Sequence, residues 1–460
     1  MKYRQTVQRS IILICKYLLL LTLLFIVGCA GIPTAGERQA RQDQKSIRNL
    51  YRPSDRKPNL ADLTAESNLA EFMRFAILNH PKVEAAYYDW MASVEKITTA
   101  RSLPDPRLTF EMYIQNVIIS LMPGFMVDLP WPGKLGARAE ISSAESTAKY
   151  FNFEANVLQT AFEFKKAYYQ LHFLQERIRV NEETLSLVSS LEKIARAQNE
   201  VGKVTLQDVL RAQMEKERLI TEIANLKDSR NPLLAQLKAA LGLSPNQQDL
   251  PMPKRFESTR LDLDSDRLFD IALQRNPRLR SMEAEIRQAE AEINLAYKER
   301  FPDFNVGSEA DVKATPIIWN PQFGVTLPIW KDKIAAQIAK AQANKSAAQA
   351  RLSAEEISLA VEFADKMFFY RQSSRNLVLL RERLLVKGRQ SLEVARSGYL
   401  SGQIDFFNLI DTEKSLLSFK LAEVEAQTQR EKILAELSLM ILGLPPENAP
   451  ILNLPTKSMP

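Results

Sequence analysis

The chain repeats itself over a long period. Four short segments recur in the same order at an offset of about 200 residues, and a repeat this long far exceeds the unit of a solenoid protein. The matching pairs are Asn79-His80-Pro81 with Arg275-Asn276-Pro277, Leu129-Pro130-Trp131 with Leu327-Pro328-Ile329-Trp330, Val201-Gly202 with Ser401-Gly402, and Leu241-Gly242-Leu243 with Leu442-Gly443-Leu444. The sequence therefore predicts two tandem copies of one structural unit, at residues 66–245 and 266–446, with a linker at 246–265 and a C-terminal tail at 447–460.

Each copy contains a long proline-free stretch rich in Ala, Leu, Glu, Lys, Gln and Arg. This composition predicts a helix from Lys134 to Asn199, about 100 Å long at 1.5 Å per residue, and a corresponding helix in the second copy. A single soluble core does not need helices of this length.

Shorter helices are expected on both sides of each long helix. Turns at Gly202 and Gly402 reverse the chain into returning helices. Other helices precede the long ones and can supply the remaining length. The predicted returning helices are Thr205–Leu241 and Asp405–Leu442, and the preceding helices are Glu66–Arg101 and Asp266–Arg300.

Between the first two helices of each copy, the spacing of apolar residues becomes alternating. Residues 107–114 and 303–307 alternate, and short apolar segments follow at 125–129 and 322–327. Each copy thus predicts one β-hairpin with faces of different polarity, the pattern of a transmembrane β-barrel. Four strands cannot close a barrel and lipid tolerates no open edge, so an oligomer is required if these strands lie in a membrane. A hairpin that caps a helical bundle in water is the alternative.

The first 28 residues have the features of a lipoprotein signal peptide. Basic residues precede an apolar run from Ile11 to Val27, and Ile26-Val27-Gly28-Cys29 resembles the lipobox of bacterial lipoproteins. Cleavage before Cys29 would make this cysteine the lipid attachment point and leave residues 29–65 as a lipidated segment. Ala30 follows instead of an acid that would favour the inner membrane, so we expect the outer membrane, facing the periplasm. A retained membrane anchor is the alternative.

Composition argues against several functional classes. The net charge of +6 falls to +2 without the four basic residues of the signal, so no surface for nucleic acid is implied. Two Cys and two His are too few for a disulfide framework or a Cys/His zinc site, and the sequence lacks the Gly-x-x-x-x-Gly-Lys-Ser/Thr phosphate loop. We expect the side chains of His80 and His172 to cap a helix or to pack against other side chains. The chain is therefore not expected to be an enzyme.

Methionines in the first hairpin suggest a metal site, because thioethers suit Cu(I). Met112, Met122 and Met126 cluster there, whereas the second hairpin has none. Lipid-facing packing is the simpler interpretation. We expect no metal site and no cofactor other than the lipid on Cys29.

Taken together, these features resemble the TolC family of outer-membrane efflux proteins. The resemblance rests on the lipobox, the duplicated Asn-Pro start at Asn79-His80-Pro81 and Asn276-Pro277, and three further segments: Leu103-Pro104-Asp105-Pro106, Leu129-Pro130-Trp131-Pro132-Gly133-Lys134 and Val201-Gly202 through Ala212. It implies a mainly α fold with a β-hairpin in each half. Three such chains would form one 12-stranded β-barrel, continued in the periplasm by a long α-helical barrel.

The resemblance also implies a function and partners. The chain would be the passive channel of a tripartite efflux system, a homotrimer joined to a periplasmic adaptor and an inner-membrane pump. The segments at 103–106 and 129–134 look most like members associated with heavy-metal efflux. A type I protein secretion channel is the alternative, because cargo is set by the pump. A periplasmic coiled-coil adaptor fits less well, since it would have one helical hairpin where this chain has two.

The two helical turns correspond to the periplasmic tip of the family. There a Tyr of the second tip bonds an Asp of the first, which implies Tyr399 and Asp208 as a gate. Asp411 matches one acidic position of the inner constriction, Asn408 stands at the other, and Ile404 replaces an expected Arg. Without the resemblance, Asp208 would be read as a carboxylate that stabilises a helix N-terminus. The implied adaptor-docking residues are Val201, Gly202, Leu210, Ala212, Ser401, Gly402 and Leu409.

Overall fold

A computed structural model describes residues 33–52, 57–60, 63–114, 118–244, 256–259 and 268–446. Cys29, the predicted signal, most of the linker and the C-terminal tail lie outside these residues. The chain divides into two compact units. Unit 1 comprises residues 1–48, 87–151 and 280–353, and unit 2 comprises residues 49–86, 152–279 and 354–460. Each unit therefore draws on both sequence copies.

The same order of elements occurs twice along the described chain. The first copy contains α2 (Leu69–Asn79), α3 (Pro81–Arg101), β1 (Arg107–Ile114), β2 (Ile118–Leu129), α4 (Lys134–Glu200), α5 (Leu206–Asp228) and α6 (Arg230–Ala240), after an N-terminal α1 (Ala35–Tyr51). The second contains α7 (Leu268–Arg275), α8 (Pro277–Lys298), β3 (Asp303–Asp311), β4 (Ile318–Thr326), α9 (Lys331–Leu379), α10 (Leu385–Leu400) and α11 (Phe406–Glu436). Two π-helical turns, Leu380–Leu384 and Leu437–Ile441, follow α9 and α11.

The predicted long helices are present. Helix α4 runs from Lys134 to Glu200, one residue beyond the predicted end. Its counterpart is interrupted, because the π-helical turn Leu380–Leu384 separates α9 from α10. None of the helices in the described segments is both long and apolar enough to cross a membrane.

Each preceding helix, predicted as continuous, is in fact two. The chain leaves helical geometry at His80, where φ is −72° and ψ is 126°, and α3 begins at Pro81. The His80 side chain caps the new helix, because its Nδ1 accepts a hydrogen bond of 3.1 Å from the Lys82 backbone N–H. The second copy repeats this break with Asn276, whose Oδ1 accepts from the Arg278 backbone N–H at 2.9 Å. Residues before proline avoid the helical region, which explains both breaks.

The first returning helix is also broken, contrary to the prediction of one helix over Thr205–Leu241. Helix α5 ends at Asp228 and α6 begins at Arg230. Pro232 lies in the first turn of α6, where its missing N–H costs nothing, but its ring would clash with a carbonyl four residues earlier in a continuous helix. The second returning helix has no proline and runs unbroken from Phe406 to Glu436.

Helix α1 was not predicted, because residues 29–65 are mostly polar. Within unit 1, Glu37 of α1 is almost fully buried, with 1% of its surface exposed. Its carboxylate accepts hydrogen bonds from Arg101, from Arg41 and from the Thr98 hydroxyl. This buried acid ties α1 to α3.

The four strands form one antiparallel sheet in the order β1-β2-β3-β4. The two predicted hairpins are therefore joined through β2 and β3, which pair with Asp128 opposite Asn305 and Gly124 opposite Glu309. Strand β1 begins and ends where the sequence predicted, whereas the other three are longer than predicted. Strands β1 and β4 are the two edges of the sheet.

Each unit has its own apolar core. In unit 1, Trp90 is buried and meets Tyr150 edge to face, with ring centroids 5.3 Å apart. In unit 2, Phe72 stacks on Phe164 with centroids 6.2 Å apart.

Candidate functional site

The sheet of unit 1 has one apolar and one polar face. Directly opposite residues of an antiparallel pair share a face, so the register assigns every strand residue. One face carries Leu108, Phe110, Met112, Leu121, Pro123, Phe125, Val127, Leu129, Phe304, Val306, Ala310, Trp319, Pro321, Phe323 and Val325, with Ser308 as the polar exception among the paired residues. Several of these side chains are widely exposed, including Leu108 at 76% and Trp319 at 70%.

The opposite face is mostly polar, and five of its six charged residues are acidic. It carries Arg107, Thr109, Glu111, Tyr113, Ser120, Asp128, Asp303, Asn305, Glu309, Asp311, Asn320, Gln322 and Thr326. Arg107 donates to both carboxylate oxygens of Asp128 at 2.8–2.9 Å. Met122 and Met126 also lie on this face, whereas Met112 lies on the apolar face, so the three methionines do not share one face. Their lipid-facing role stays a prediction.

The start of α4 is fixed to the start of β3 by a buried lysine. Lys134 is 1% exposed, and its ammonium contacts Asp303 at 2.9 Å, Glu299 at 3.3 Å and the Phe301 carbonyl at 3.0 Å. Asp303 also accepts from the Trp131 backbone N–H at 2.8 Å. The Trp131 ring stacks on Phe301 with centroids 5.1 Å apart. The segment Trp131–Lys134 thus joins the sheet to the long helix.

In unit 2, two similar turns reverse the helical hairpins. Gly202 and Gly402 have φ of 72° and 77°, in the left-handed region that glycine adopts without strain. After each glycine, a backbone N–H donates a hydrogen bond to the last turn of the preceding helix. Lys203 donates to the Gln198 carbonyl and Gln403 to the Gly398 carbonyl, both at 2.8 Å. This is the Schellman arrangement of a helix C-terminus.

Asp208 caps a helix. Its Oδ2 accepts from the Thr205 backbone N–H at 3.2 Å and from the Thr205 hydroxyl at 3.0 Å. The interpretation from residues alone, a carboxylate at a helix N-terminus, is therefore confirmed. In the second hairpin Asp405 is itself the N-cap residue, and its Oδ1 accepts from the Asn408 backbone N–H at 2.8 Å.

The side chains between the two hairpins form one apolar cluster, which we call the tip core. It consists of Leu191, Ala195, Val209, Ala212, Ala395, Tyr399, Phe406, Leu409 and Ile410. Ala212 and Leu409 have no exposed surface, so their side chains are not part of the tip surface in this structure, and their assignment to adaptor docking stays a prediction. They support the tip from within.

The other implied docking residues are exposed. Val201 is 68% exposed and Leu210 is 49% exposed, and Gly202, Ser401 and Gly402 lie at the surface of the turns. These five residues present the surface that the sequence assigned to the tip.

Tyr399 lies inside the tip core with 3% of its surface exposed. Its ring meets Phe406 edge to face at a centroid distance of 5.4 Å. The hydroxyl has no hydrogen-bond partner among the described residues. Burial and the nearby charge of Asp208 raise the pKa of Tyr399 to about 12, so the hydroxyl is a donor at neutral pH. The implied bond to Asp208 is thus not made within one chain.

Asn408 and Asp411 lie on the exposed side of α11. Nearby, Glu413 is a buried acid that the sequence analysis missed. It is 2% exposed and its Oε2 has no partner in the described part of the chain. Burial raises the pKa of Glu413, against the attraction of Lys420. A signal was available: Glu413 follows Phe406, Leu409 and Ile410 at helical spacing, on the apolar face of α11.

The two histidines pack and cap, as predicted. His80 caps α3, and His172 lies against Phe256 with ring centroids 4.6 Å apart. Within the segments that the structure covers, no group of three or more His, Cys, Asp or Glu residues could hold a metal ion.

A family model described as outer membrane efflux protein matches residues 74–243 and 268–442. The open state of the Neisseria gonorrhoeae MtrE outer membrane channel is similar in fold, with a TM-score of 0.70 at 20% identity over 82% of this chain and 89% of that chain. For the Campylobacter jejuni CmeC outer membrane channel the TM-score is 0.68 at 15% identity, over 82% and 86%. CusC, described in connection with transmembrane channel formation, is similar in fold with a TM-score of 0.72 at 17% identity, over 85% of this chain and 96% of that chain. No curated protein matches the sequence.

Proposed function

Because this chain belongs to the outer membrane efflux protein family, we propose that it is the outer-membrane channel subunit of a tripartite efflux system. It conducts substrates passively from a periplasmic adaptor and an inner-membrane pump to the exterior. The family is one of channels, and no catalytic step is proposed. The observation that carries the proposal is the sheet, whose apolar face suits lipid and whose polar face suits water.

The edges of the sheet support an oligomeric assembly. Among the described residues, strands β1 and β4 each have one unpaired side, and unpaired backbone groups in lipid cost several kcal/mol each. Four strands are too few to close on themselves. We propose a homotrimer with a 12-stranded barrel, continued by a periplasmic barrel of the long helices. Cys29 carries the lipid that anchors each chain to the outer membrane.

The cargo that we propose is heavy-metal cations. The motifs at 103–106 and 129–134 support this through the resemblance, and the polar face of the sheet supports it through charge. Glu111, which is exposed, and Asp311, which is half-buried, have no ion pair with another described residue. Carboxylates that line a pore favour cations. The selectivity of a purified channel would be measured from the reversal potential in a salt gradient.

We propose that the helical tips form the periplasmic gate and the adaptor site. Val201, Leu210 and the surface of the two turns supply the docking surface. The tip core holds each pair of hairpins together, and Tyr399, Asp208, Asn408 and Asp411 regulate the opening.

The proposed function is tested by insertion into planar lipid bilayers, with adjacent residues of β4 as a matched pair. Phe323 lies on the apolar face and Gln322 on the polar face. An arginine on a lipid-exposed face costs about 2–4 kcal/mol at the bilayer centre. Phe323→Arg should therefore abolish channel insertion, whereas Gln322→Arg should insert and conduct.

Equal insertion of the two variants would mean that this face does not meet lipid. A wild-type protein that forms no conducting pore would refute the channel assignment itself.

A further inference from the structure

The second copy of the repeat has one residue more than the first copy in each of two helical stretches. From the tryptophan before the long helix to the glycine of the tip turn, the separation is 71 positions in the first copy (131–202) and 72 in the second (330–402). From that glycine to the glycine after the returning helix, it is 40 positions in the first copy (202–242) and 41 in the second (402–443). Each stretch of the second copy therefore accommodates one additional residue.

The two π-helical turns are where these residues are accommodated. We call Leu380–Leu384 the first π-turn and Leu437–Ile441 the second π-turn, and each of the two stretches contains one of them. In both, the backbone N–H of the residue after the turn donates to the carbonyl of the first residue of the turn, five positions earlier. Such a turn holds one residue more than an α-helical turn, whose hydrogen bonds span four positions. In the first copy, α4 is an uninterrupted α-helix.

The second π-turn is held in place by a buried side chain. Asn276 has no exposed surface, and its Nδ2 donates to the carbonyls of Met440 and Ile441 at 3.1 and 3.0 Å. Leu437 and Leu439 of this turn are buried as well. Movement of the turn would leave the buried amide of Asn276 without partners, which is unfavourable.

The first π-turn is held less firmly. Residues 381–383 are exposed, and Leu380 is the one buried residue of the turn. Its described polar contacts with another helix come from Arg381, which donates to Glu423 at 2.6 Å and to Gln427 at 2.7 Å. The Arg381 side chain is 46% exposed, and ion pairs of this exposure contribute little to stability.

The surroundings of the first π-turn favour movement. Gly388 of α10 stands 200 positions after Val188 of α4, which is completely buried. A glycine inside a helix destabilises the helix relative to alanine. A cleft of about 190 Å³ borders Gln427, the residue that Arg381 bonds. The helix after this turn thus has a second weak point, and the anchor of the turn on α11 lies beside open space.

We propose that the first π-turn is a joint at which α10 moves relative to α9, whereas the second π-turn is a fixed part of the fold. Helices bend at π-turns because the additional residue interrupts the regular hydrogen bonds. The joint lets the helical tip change position while Ala395 and Tyr399 of α10 stay in the tip core. This inference rests on the proposed function, because it assigns the movement of the gate to one turn of one helix.

Two single-residue deletions test where the additional residue is accommodated. Deletion of Glu382 should convert the first π-turn to an α-helical turn and leave the tip core in place. Deletion of Glu393, an exposed glutamate of α10, removes the same charge and is the matched control. It should rotate the residues on its two sides by about 100° relative to each other, so that either Leu385 or the pair Ala395 and Tyr399 leaves its buried position.

Thermal melts of the two variants should therefore differ. We expect the protein without Glu382 to melt at or above the wild-type temperature, and the protein without Glu393 to melt at a lower temperature. A loss after deletion of Glu382 as large as that after deletion of Glu393 would overturn the assignment of the additional residue to the first π-turn.

Hydrogen exchange of the oligomer in mild detergent measures the movement of each turn. We expect the backbone amides of residues 380–388 to exchange faster than those of 437–441 and those of 180–188 in α4. Deletion of Glu382 should remove this fast exchange. Equal exchange at the two π-turns of the wild type, or fast exchange that persists after the deletion, would overturn the proposed joint.

Single-channel recording tests whether the joint serves the gate. The protein without Glu382 should conduct, but with fewer transitions between conductance levels than the wild type, because its tip has lost the joint. Unchanged transitions in a variant whose exchange has slowed would overturn this role. A wild-type protein that does not conduct would refute the proposed function, whereas the exchange rates would still show whether the first π-turn moves.

Discussion

Removal of the Tyr399 hydroxyl should have opposite effects on the single chain and on the closed channel. Within the chain, this hydroxyl is buried without a partner among the described residues. An unsatisfied buried polar group costs about 1–3 kcal/mol, so Tyr399→Phe should leave the thermal stability of the tip unchanged or raise it. The ring and its contact with Phe406 are kept.

In the closed assembly, we expect the same hydroxyl to donate to Asp208 of a neighbouring hairpin. A hydrogen bond to a charged acceptor contributes about 1.5–3 kcal/mol, so each lost bond should shift the closed-to-open ratio by about 10- to 150-fold. Single-channel recording in planar bilayers should show a higher conductance for Tyr399→Phe. The second variant is Asp208→Asn, which removes the charge of the acceptor but keeps an oxygen that can cap the helix at Thr205. Asp208→Ala would also remove this cap, which would itself cost about 0.5–2 kcal/mol.

Tyr297→Phe is the matched control, since Tyr297 is 43% exposed and lies in unit 1. If Tyr399→Phe and Asp208→Asn both conduct like the wild type, the hydroxyl is not a latch. Closure would then depend on packing, with Phe406 and Leu409 of the tip core as the first residues to test. A marked loss of thermal stability in Tyr399→Phe would show that the hydroxyl already has a partner within the subunit.

Four further predictions concern the anchor, the pore and two buried acids. Cys29→Ser should abolish acylation but keep the fold, which metabolic palmitate labelling and circular dichroism would check. Asp411→Asn should reduce cation selectivity and block by multivalent cations, as reversal potentials and blocker titrations would show. Glu37→Gln should lower the free energy of unfolding by about 1.5–3 kcal/mol, measured by thermal unfolding. The control is Glu95→Gln, because Glu95 is 60% exposed in its ion pair and its substitution should cost less than about 1 kcal/mol. Equal losses for the two variants would contradict the argument from burial. Because burial raises the pKa of Glu413, its contribution to the stability of the tip should be fully present below pH 4.5 and be lost as pH rises through the raised pKa. Glu413→Gln should remove this component of the pH profile in thermal melts.

Local rules predicted the elements that depend on composition. Helix α4 was predicted to within one residue because no proline interrupts it and its residues favour helices. The breaks before Pro81 and Pro277 were missed, although a proline restricts the residue before it. Helix α1 was missed because most of its residues are polar and few of them, such as Ile47 and Tyr51, are buried.

Contacts between distant residues could not be predicted. Glu37 meets Arg101 across 64 positions of the chain, and no local pattern encodes that pairing. At the tip, the resemblance identified the correct turns but not the buried face. Ala212 and Leu409 follow the same helical spacing as their neighbours in the tip core, which would have separated them from exposed Leu210.

The two open edges of the sheet also restrict how the protein is made. Before assembly, a newly exported chain presents unpaired strand edges and a broad apolar face to water, the combination that seeds aggregation. In the proposed homotrimer, insertion and subunit joining would therefore have to occur close together in time. The cell must either hold the exported chain in an unfolded state until it reaches its membrane, or let the sheet form only as neighbouring copies arrive. Substitutions at β1 and β4 would then be selected against mainly because they impair the biogenesis of the channel, and less because they reduce the stability of the finished channel.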